Sequence, residues 1–155
     1  MFVSRLFDIG GQRVDRRKWA TMYDGLNAIL YCIAISEYDQ KYEDEDQKSK
    51  LADSLDLLEQ TCKCDKFAET PIFVFLNEVD VLKEKLDKIP LKNYIPEYSG
   101  KTEKDAMDFL MNKVKERTTA HASNLTFFEY MCAIDTDATA KSLDNVFKKL
   151  ISIAK

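Results

Sequence analysis

Three short polar segments carry residues capable of chemistry, and each follows a run of apolar residues. Residues Asp8 to Gln12 read Asp-Ile-Gly-Gly-Gln, Asn77 to Asp80 read Asn-Glu-Val-Asp, and Met131 to Thr136 read Met-Cys-Ala-Ile-Asp-Thr. In the first segment a glycine can bring its backbone N–H close to a terminal phosphate, an acid can support a magnesium ion, and a glutamine can orient a water for attack. A tight turn with a capping acid explains that segment equally well.

The second and third segments offer the hydrogen-bonding groups that a purine base requires. The Asp80 carboxylate can accept two hydrogen bonds from the N1–H and N2–H₂ edge of guanine, and Asn77 can brace the base and contact its N7. Ala133 is small enough to offer its backbone N–H to guanine O6. Asn-x-x-Asp alone is also typical of a polar loop, but its position directly after an apolar run favours the functional interpretation.

Apolar runs and helical periodicity predict the elements that position these segments. Strands are predicted at residues 2–7, 27–35, 71–76 and 125–133, and helices at 12–24, 46–63, 102–117 and around 143–151, with a loop-rich stretch at 81–101. Strands that alternate with helices predict an α/β domain whose parallel sheet is covered by helices on both faces. Ligands bind beyond the carboxyl ends of such strands, where the three polar segments lie.

Composition limits the classes of function. The 155 residues carry a formal net charge of −4, so no positive excess is available for a nucleic-acid backbone, and nucleic acid is not expected as a partner. The four cysteines and the single histidine, His121, are spaced poorly for a zinc site, and buried reduced thiols are expected instead. No apolar run is long enough to span a membrane, and position 2 lacks the glycine that N-myristoylation needs, so no lipidation site is expected.

In this order, the three segments resemble the G-protein superfamily and, more narrowly, the alpha subunit of heterotrimeric G proteins. Residues 7–19 resemble the switch II region of that family, 75–80 its guanine-specificity motif, and 132–136 its second base-binding loop. Residues 94–100 are similar to a Pro-Glu-Tyr segment typical of alpha subunits. Small Arf-like GTPases also carry Asp-x-Gly-Gly-Gln, but they lack the Pro-Glu-Tyr segment.

The resemblance implies a Ras-like P-loop GTPase fold with GTP or GDP and Mg²⁺ as cofactors. Gln12 would orient the attacking water as the catalytic residue, the Gly11 N–H would sense the terminal phosphate, and Asp8 would support the metal through water. The implied nucleotide-binding residues are Asp8, Ile9, Gly10, Gly11, Gln12, Asn77, Glu78, Val79, Asp80, Cys132 and Ala133.

The same resemblance implies protein partners: a beta-gamma dimer, an effector enzyme and a seven-helix receptor. The implied interface for the dimer and effectors consists of Arg13, Arg16, Arg17, Lys18 and Trp19. From residue types alone this stretch is a solvated helix face with a core tryptophan, whereas a tryptophan flanked by arginines is also the composition of an interface hot spot.

The sequence also departs from the family pattern. It contains no Gly-x-x-x-x-Gly-Lys-Ser/Thr motif, and Glu78 stands where the family has a lysine whose stem covers the base and whose amine ties down the phosphate loop. We therefore expect residues 1–155 to be a partial GTPase domain that lacks the P-loop strand and the helical domain. Direct metal ligands would lie upstream of Met1, and the chain alone would not be competent for hydrolysis.

Three functional interpretations follow. The first is a truncated GTP-hydrolysing signal transducer that acts downstream of G-protein-coupled receptors, with the full-length parent at the cytosolic face of the plasma membrane. The alternative is a degenerate, non-enzymatic alpha-subunit fragment that acts as a protein-interaction module. An unrelated α/β enzyme of flavodoxin-like topology is the third.

Overall fold

The computed structural model describes residues 5–9, 25–43 and 48–153. Within them, the sheet contains strands β1 (Ile29–Ala34), β2 (Ile72–Asn77) and β3 (Thr126–Tyr130), which lie in the order β1-β2-β3. Both strand pairs are parallel, with Ile29 opposite Ile72 and Ile72 opposite Thr126. The carboxyl ends of all three strands therefore meet at one edge of the sheet.

Strand β2 forms the centre of the sheet because its sequence, Ile-Phe-Val-Phe-Leu-Asn, is apolar on both faces. Its first five residues are all buried, as expected for a parallel strand covered by helices on both faces. Strand β1 differs from the prediction of a strand buried on both faces, since its burial alternates: Tyr31 and Ile33 are buried, whereas Cys32 is exposed.

Four α-helices accompany the described sheet: α1 (Lys50–Cys62), α2 (Val79–Leu86), α3 (Glu103–Arg117) and α4 (Thr136–Ile153). One core cluster joins the β1 and β2 side chains of one face to α1, α2 and α3, and a second cluster joins Phe73 and Phe75 of the other face to Val146 of α4. The predicted α/β fold, with a parallel sheet between helices on both faces, is confirmed.

Local signals explain the helix boundaries. The Ser49 side chain accepts a hydrogen bond from the Ala52 N–H and caps α1. The prediction that Thr102 caps α3 is confirmed, and Asp105 completes a reciprocal capping box with it. Helix α2 overlaps the stretch 81–101 that was predicted to be loop-rich, so that prediction is wrong for residues 81–86.

The predicted strand at residues 2–7 is also wrong for residues 5–7, which the structure describes as irregular. Leu6 and Phe7 are 78% and 58% exposed, so the apolar run is not packed in the core. A strand needs a neighbour for its backbone groups, and in the described residues β1 has β2 as its sole partner strand. Residues 2–4 and the predicted helix at 12–24 lie outside the described residues.

The side of β1 that points away from β2 can be identified from its hydrogen bonds. The N–H groups of Ile29 and Ile35 donate to Pro71 O and Asn77 O, at 2.9 and 3.1 Å. Because N–H directions alternate along a strand, Leu30, Cys32 and Ala34 direct their backbone groups away from β2. Within the described part of the chain, no strand pairs with this side.

Candidate functional site

Three loops meet at the carboxyl edge of the sheet. Ser36 lies just beyond β1, Asn77 to Asp80 run from the last residue of β2 into the first turn of α2, and Met131 to Asp135 follow β3. Two of the three segments singled out in the sequence are thereby brought together, since they leave neighbouring parallel strands. We call residues 77–80 the first base loop and residues 131–135 the second base loop.

Hydrogen bonds connect the two base loops directly. The side-chain Oδ1 of Asn77 accepts a hydrogen bond from the backbone N–H of Ala133 at 3.0 Å, across 56 positions of sequence. The Met131 N–H donates to Leu76 O at 2.8 Å, and the Val79 N–H donates to Met131 O at 3.5 Å. Asn77 therefore holds the second base loop in place, and its side-chain NH₂ group makes no hydrogen bond to any described residue.

Asp80 occupies the first turn of α2, where the exposed N–H groups of a helix favour a negative charge. The residue is half-buried, and its carboxylate makes no hydrogen bond or ion pair with any described residue. A carboxylate that is partly shielded from water and still unpaired is suited to accept hydrogen bonds from a ligand.

Glu78 has the one positive φ of a non-glycine residue in the described chain, with φ 65° and ψ 36°. Its Oε2 accepts a hydrogen bond from the hydroxyl of Ser36, which is 1% exposed. The backbone oxygen of Ser36 in turn accepts a hydrogen bond of 2.8 Å from Lys85 Nζ, and Lys85 also forms an ion pair with Asp39. These contacts fix the first base loop to the end of β1.

Ser36 was not identified as a site residue from the sequence. The register of β1 against β2 places Ala34 opposite Asn77, so the residues that follow each strand become neighbours. That proximity is a property of the sheet and has no local sequence signal, although a serine directly after a buried strand is a reasonable place to search.

The second base loop ends in the start of α4. Asp135 Oδ1 accepts a hydrogen bond of 2.9 Å from the Ala138 N–H and so caps the helix. Ala133 is exposed and Ile134 is 85% exposed, so the loop lies open to solvent next to Asn77. The Ala133 N–H was predicted to bind guanine O6, but here it donates to Asn77 Oδ1. A bound base would have to share this N–H with Asn77 or displace Asn77 from it.

The first polar segment is described for Asp8 and Ile9 alone. Asp8 is exposed, and it makes no hydrogen bond or ion pair with any described residue. Partial desolvation and the nearby Asp8 carboxylate both raise the pKa of Cys32, which indicates that Asp8 lies near β1. The predicted catalytic residue Gln12, the glycines Gly10 and Gly11, and the predicted partner surface from Arg13 to Trp19 lie outside the described residues.

His121 and the Cys62–Cys64 pair line a cavity of about 230 Å³ away from the base loops. His121 is buried, with Nδ1 2.9 Å from Thr126 Oγ1 and Nε2 3.0 Å from Phe67 O, so both ring nitrogens are occupied by the protein. Burial, followed by the charge of Glu59, raises the pKa of Cys62 to about 11. In the described residues no group of three or more histidine, cysteine or acidic side chains is arranged to hold a metal ion.

The four cysteines form no disulfide, and Cys62 alone among them is buried, so the expectation of buried thiols is wrong for the other three. No helix in the described ranges is long and apolar enough to cross a membrane.

Comparison with known proteins gives a consistent result. The family model for the G-protein alpha subunit matches residues 2–151. Guanine nucleotide-binding protein alpha-13 subunits from Caenorhabditis briggsae and Caenorhabditis elegans are 48% and 47% identical over 148 and 147 residues, which is 95% and 94% of this chain. A guanine nucleotide-binding protein subunit alpha from Sporothrix schenckii is 37% identical over 85% of the chain. The matches cover 42%, 42% and 37% of those relatives, so the chain spans about two fifths of their length.

Proposed function

The chain belongs to the family of G-protein alpha subunits, and we propose that its two base loops recognise the guanine base of a nucleotide. Asp80 accepts hydrogen bonds from the N1–H and N2–H₂ edge of the base, and the free NH₂ group of Asn77 donates to N7. Ala133, held beside Asn77, shares its N–H between Asn77 Oδ1 and O6 of the base.

The observation that carries this proposal is the hydrogen bond between Asn77 Oδ1 and the Ala133 N–H. It joins the loops that follow two neighbouring strands, although they lie 56 positions apart in sequence. It leaves the Asn77 NH₂ group free, and the Asp80 carboxylate likewise has no hydrogen-bonding partner among the described residues. A site organised in this way before ligand binding pays less ordering entropy on binding.

For the whole protein we propose a GTP-hydrolysing transducer that couples a seven-helix receptor to an effector enzyme and a beta-gamma dimer. Gln12 orients the attacking water, and residues 13–19 form part of the partner surface. The exposed and unpaired Asp8 carboxylate fits a role in supporting Mg²⁺, a hard cation that prefers oxygen ligands and retains water. Localisation at the cytosolic face of the plasma membrane is proposed with this role.

The proposal is tested by titrating guanosine and adenosine into the ¹⁵N-labelled 155-residue chain and following the amide signals of the base loops by NMR. Because guanosine offers only its base and sugar to the site, we expect it to bind at roughly millimolar concentration, about −4 kcal/mol. The Asp80→Asn variant should lose at least about tenfold in affinity, because hydrogen bonds to a charged group contribute about 1.5–3 kcal/mol each.

Asp87→Asn is the matched control, since it removes the same charge from an exposed residue at the end of the same helix. Guanosine and adenosine binding with equal affinity, or Asp80→Asn binding as tightly as the unmodified chain, would refute the proposal. In that event the alternative of a non-enzymatic interaction module would be preferred, and the replacement of the family lysine by Glu78 already favours that alternative.

A further inference from the structure

Glu78 is held in an unusual conformation at the proposed base site. A left-handed backbone conformation is strained for a non-glycine residue and persists where surrounding contacts determine it. Here the surrounding contact is the hydrogen bond that its carboxylate accepts from Ser36. Ser36 is buried at the end of β1, so the carboxylate is anchored to the sheet.

The charge of Glu78 is not neutralised by a neighbouring cation. Lys85, the basic side chain that also contacts Ser36, forms its ion pair with Asp39 and donates to the backbone oxygen of Ser36. Within the described chain Glu78 has no ion pair, and Asp80, two residues further on, has none either. The first base loop therefore presents two unpaired carboxylates, one of them fixed in position.

From this arrangement we propose that Glu78 sets how the base site responds to the phosphates of its ligand, so that its negative charge lowers the affinity for a guanine nucleotide relative to the uncharged nucleoside. The inference rests on the proposed function of the base loops. A base bound by Asp80 brings any phosphate of the same ligand within one nucleotide's length of Glu78. The separation between the phosphate and the Glu78 carboxylate is then comparable with the Debye length of about 8–10 Å at physiological salt. Salt therefore does not fully screen the repulsion between these two negative charges.

The anchoring by Ser36 is essential to this argument. A flexible glutamate would swing into solvent when a phosphate approached, and its repulsion would become small. A carboxylate bound to a buried hydroxyl has to give up that hydrogen bond in order to move away. The neutral nucleoside meets no such penalty, because it carries no charge for the carboxylate to repel.

The test compares guanosine with guanosine 5′-monophosphate, using the 155-residue chain and the same NMR titration. The measured quantity is the ratio of the two affinities, which cancels any effect on base recognition common to both ligands. Glu78→Gln keeps a hydrogen-bond acceptor for Ser36 and removes the charge. We expect it to shift the ratio about two- to fivefold toward the monophosphate, the range for partly exposed charge pairs.

Glu116→Gln is the matched control, because it removes the same charge from an exposed position on α3 and should leave the ratio unchanged. For the unmodified chain the ratio should move toward the monophosphate when salt is raised from 0.05 to about 0.5 M, since screening weakens the repulsion. This second measurement needs no variant and therefore does not depend on whether a substituted chain folds.

Each outcome is decisive. The inference would be overturned if the ratio of guanosine to monophosphate affinity changed neither in Glu78→Gln nor with salt. The proposed function would still stand in that case, provided that guanosine bound the unmodified chain and lost affinity in Asp80→Asn. If guanosine does not bind the unmodified chain, the proposed function is overturned and the inference falls with it.

Discussion

Asn77 offers a sharp test of the proposed base site, because its side chain has two separable functions. Its oxygen accepts the hydrogen bond from the Ala133 N–H, and its NH₂ group is free to donate to a ligand. Asn77→Ala removes both functions. Asn77→Asp keeps an oxygen acceptor for Ala133 and removes the donor.

The expected magnitudes follow from the environment of the bond. Ala133 is exposed, so losing this hydrogen bond should cost about 0.5–1.5 kcal/mol, without the larger penalty of a buried unsatisfied group. In a chain of this size, 1 kcal/mol corresponds to a shift in Tm of roughly 2–4 °C. If the freed second base loop must be reordered when a ligand binds, the same free energy lowers guanosine affinity by about 2- to 12-fold.

The two variants should therefore differ. Asn77→Ala should lose both stability in urea unfolding and guanosine affinity in NMR titration, whereas Asn77→Asp should retain most of the stability and still lose affinity. Asn112→Ala, at an exposed position on α3, controls for the effect of removing an amide. The reasoning would be refuted if Asn77→Ala left the free energy of unfolding unchanged, or if Asn77→Asp bound guanosine as tightly as the unmodified chain.

Two further predictions concern structural residues outside the base loops. His121→Ala should lower the free energy of unfolding by about 1–3 kcal/mol in urea titration, because it removes the two hydrogen bonds of the buried ring, to Thr126 Oγ1 and Phe67 O, at about 0.5–1.5 kcal/mol each, while guanosine affinity should not change. Unaltered stability would contradict the structural role. The backbone N–H groups of Lys101 and Thr102 donate hydrogen bonds to the Asp105 carboxylate and hold its pKa below the ordinary value of 3.8. The ionised carboxylate therefore stabilises the folded chain above about pH 4, and this stabilisation is lost as the pH falls through the lowered pKa. Asp105→Asn should reduce the difference between unfolding free energies measured at pH 7 and pH 3, and an undiminished difference would contradict the assignment.

Most of the described fold could be predicted from the sequence, because its signals are local. The apolar run at 27–35 contains β1, the run at 71–76 contains all of β2 except its last residue, and Thr102 marks the start of α3 through its own side chain. Helix α2 was missed because half of its eight residues are charged and prolines follow it. Its apolar residues Val79, Leu82 and Leu86 recur at helical spacing, and that pattern was the available signal.

The candidate site was predictable in its residue types and less so in its contacts. The positions of Asn77 and Asp80 after a buried strand indicated the first base loop, and the parallel sheet brings the second loop beside it. The hydrogen bond between Glu78 and Ser36 was not predictable, because it depends on the register that pairs Ala34 with Asn77. A sequence fixes which residues follow each strand, but which of them touch is decided by strand pairing and by rotamers.

The arrangement of the sheet separates two parts of the proposed function. In the proposal, base recognition uses the ends of β2 and β3, which are joined by a parallel ladder and by the hydrogen bond from Ala133 to Asn77. Phosphate and metal chemistry would use the segment that begins at Asp8. This segment lies near β1, and no described strand pairs with the side of β1 that points away from β2. Glu78 lies where the two parts meet, since it follows β2 and is bound to Ser36 at the end of β1. A change of charge at this one position can therefore alter how the site responds to phosphate while the hydrogen bonds that hold the base loops remain in place.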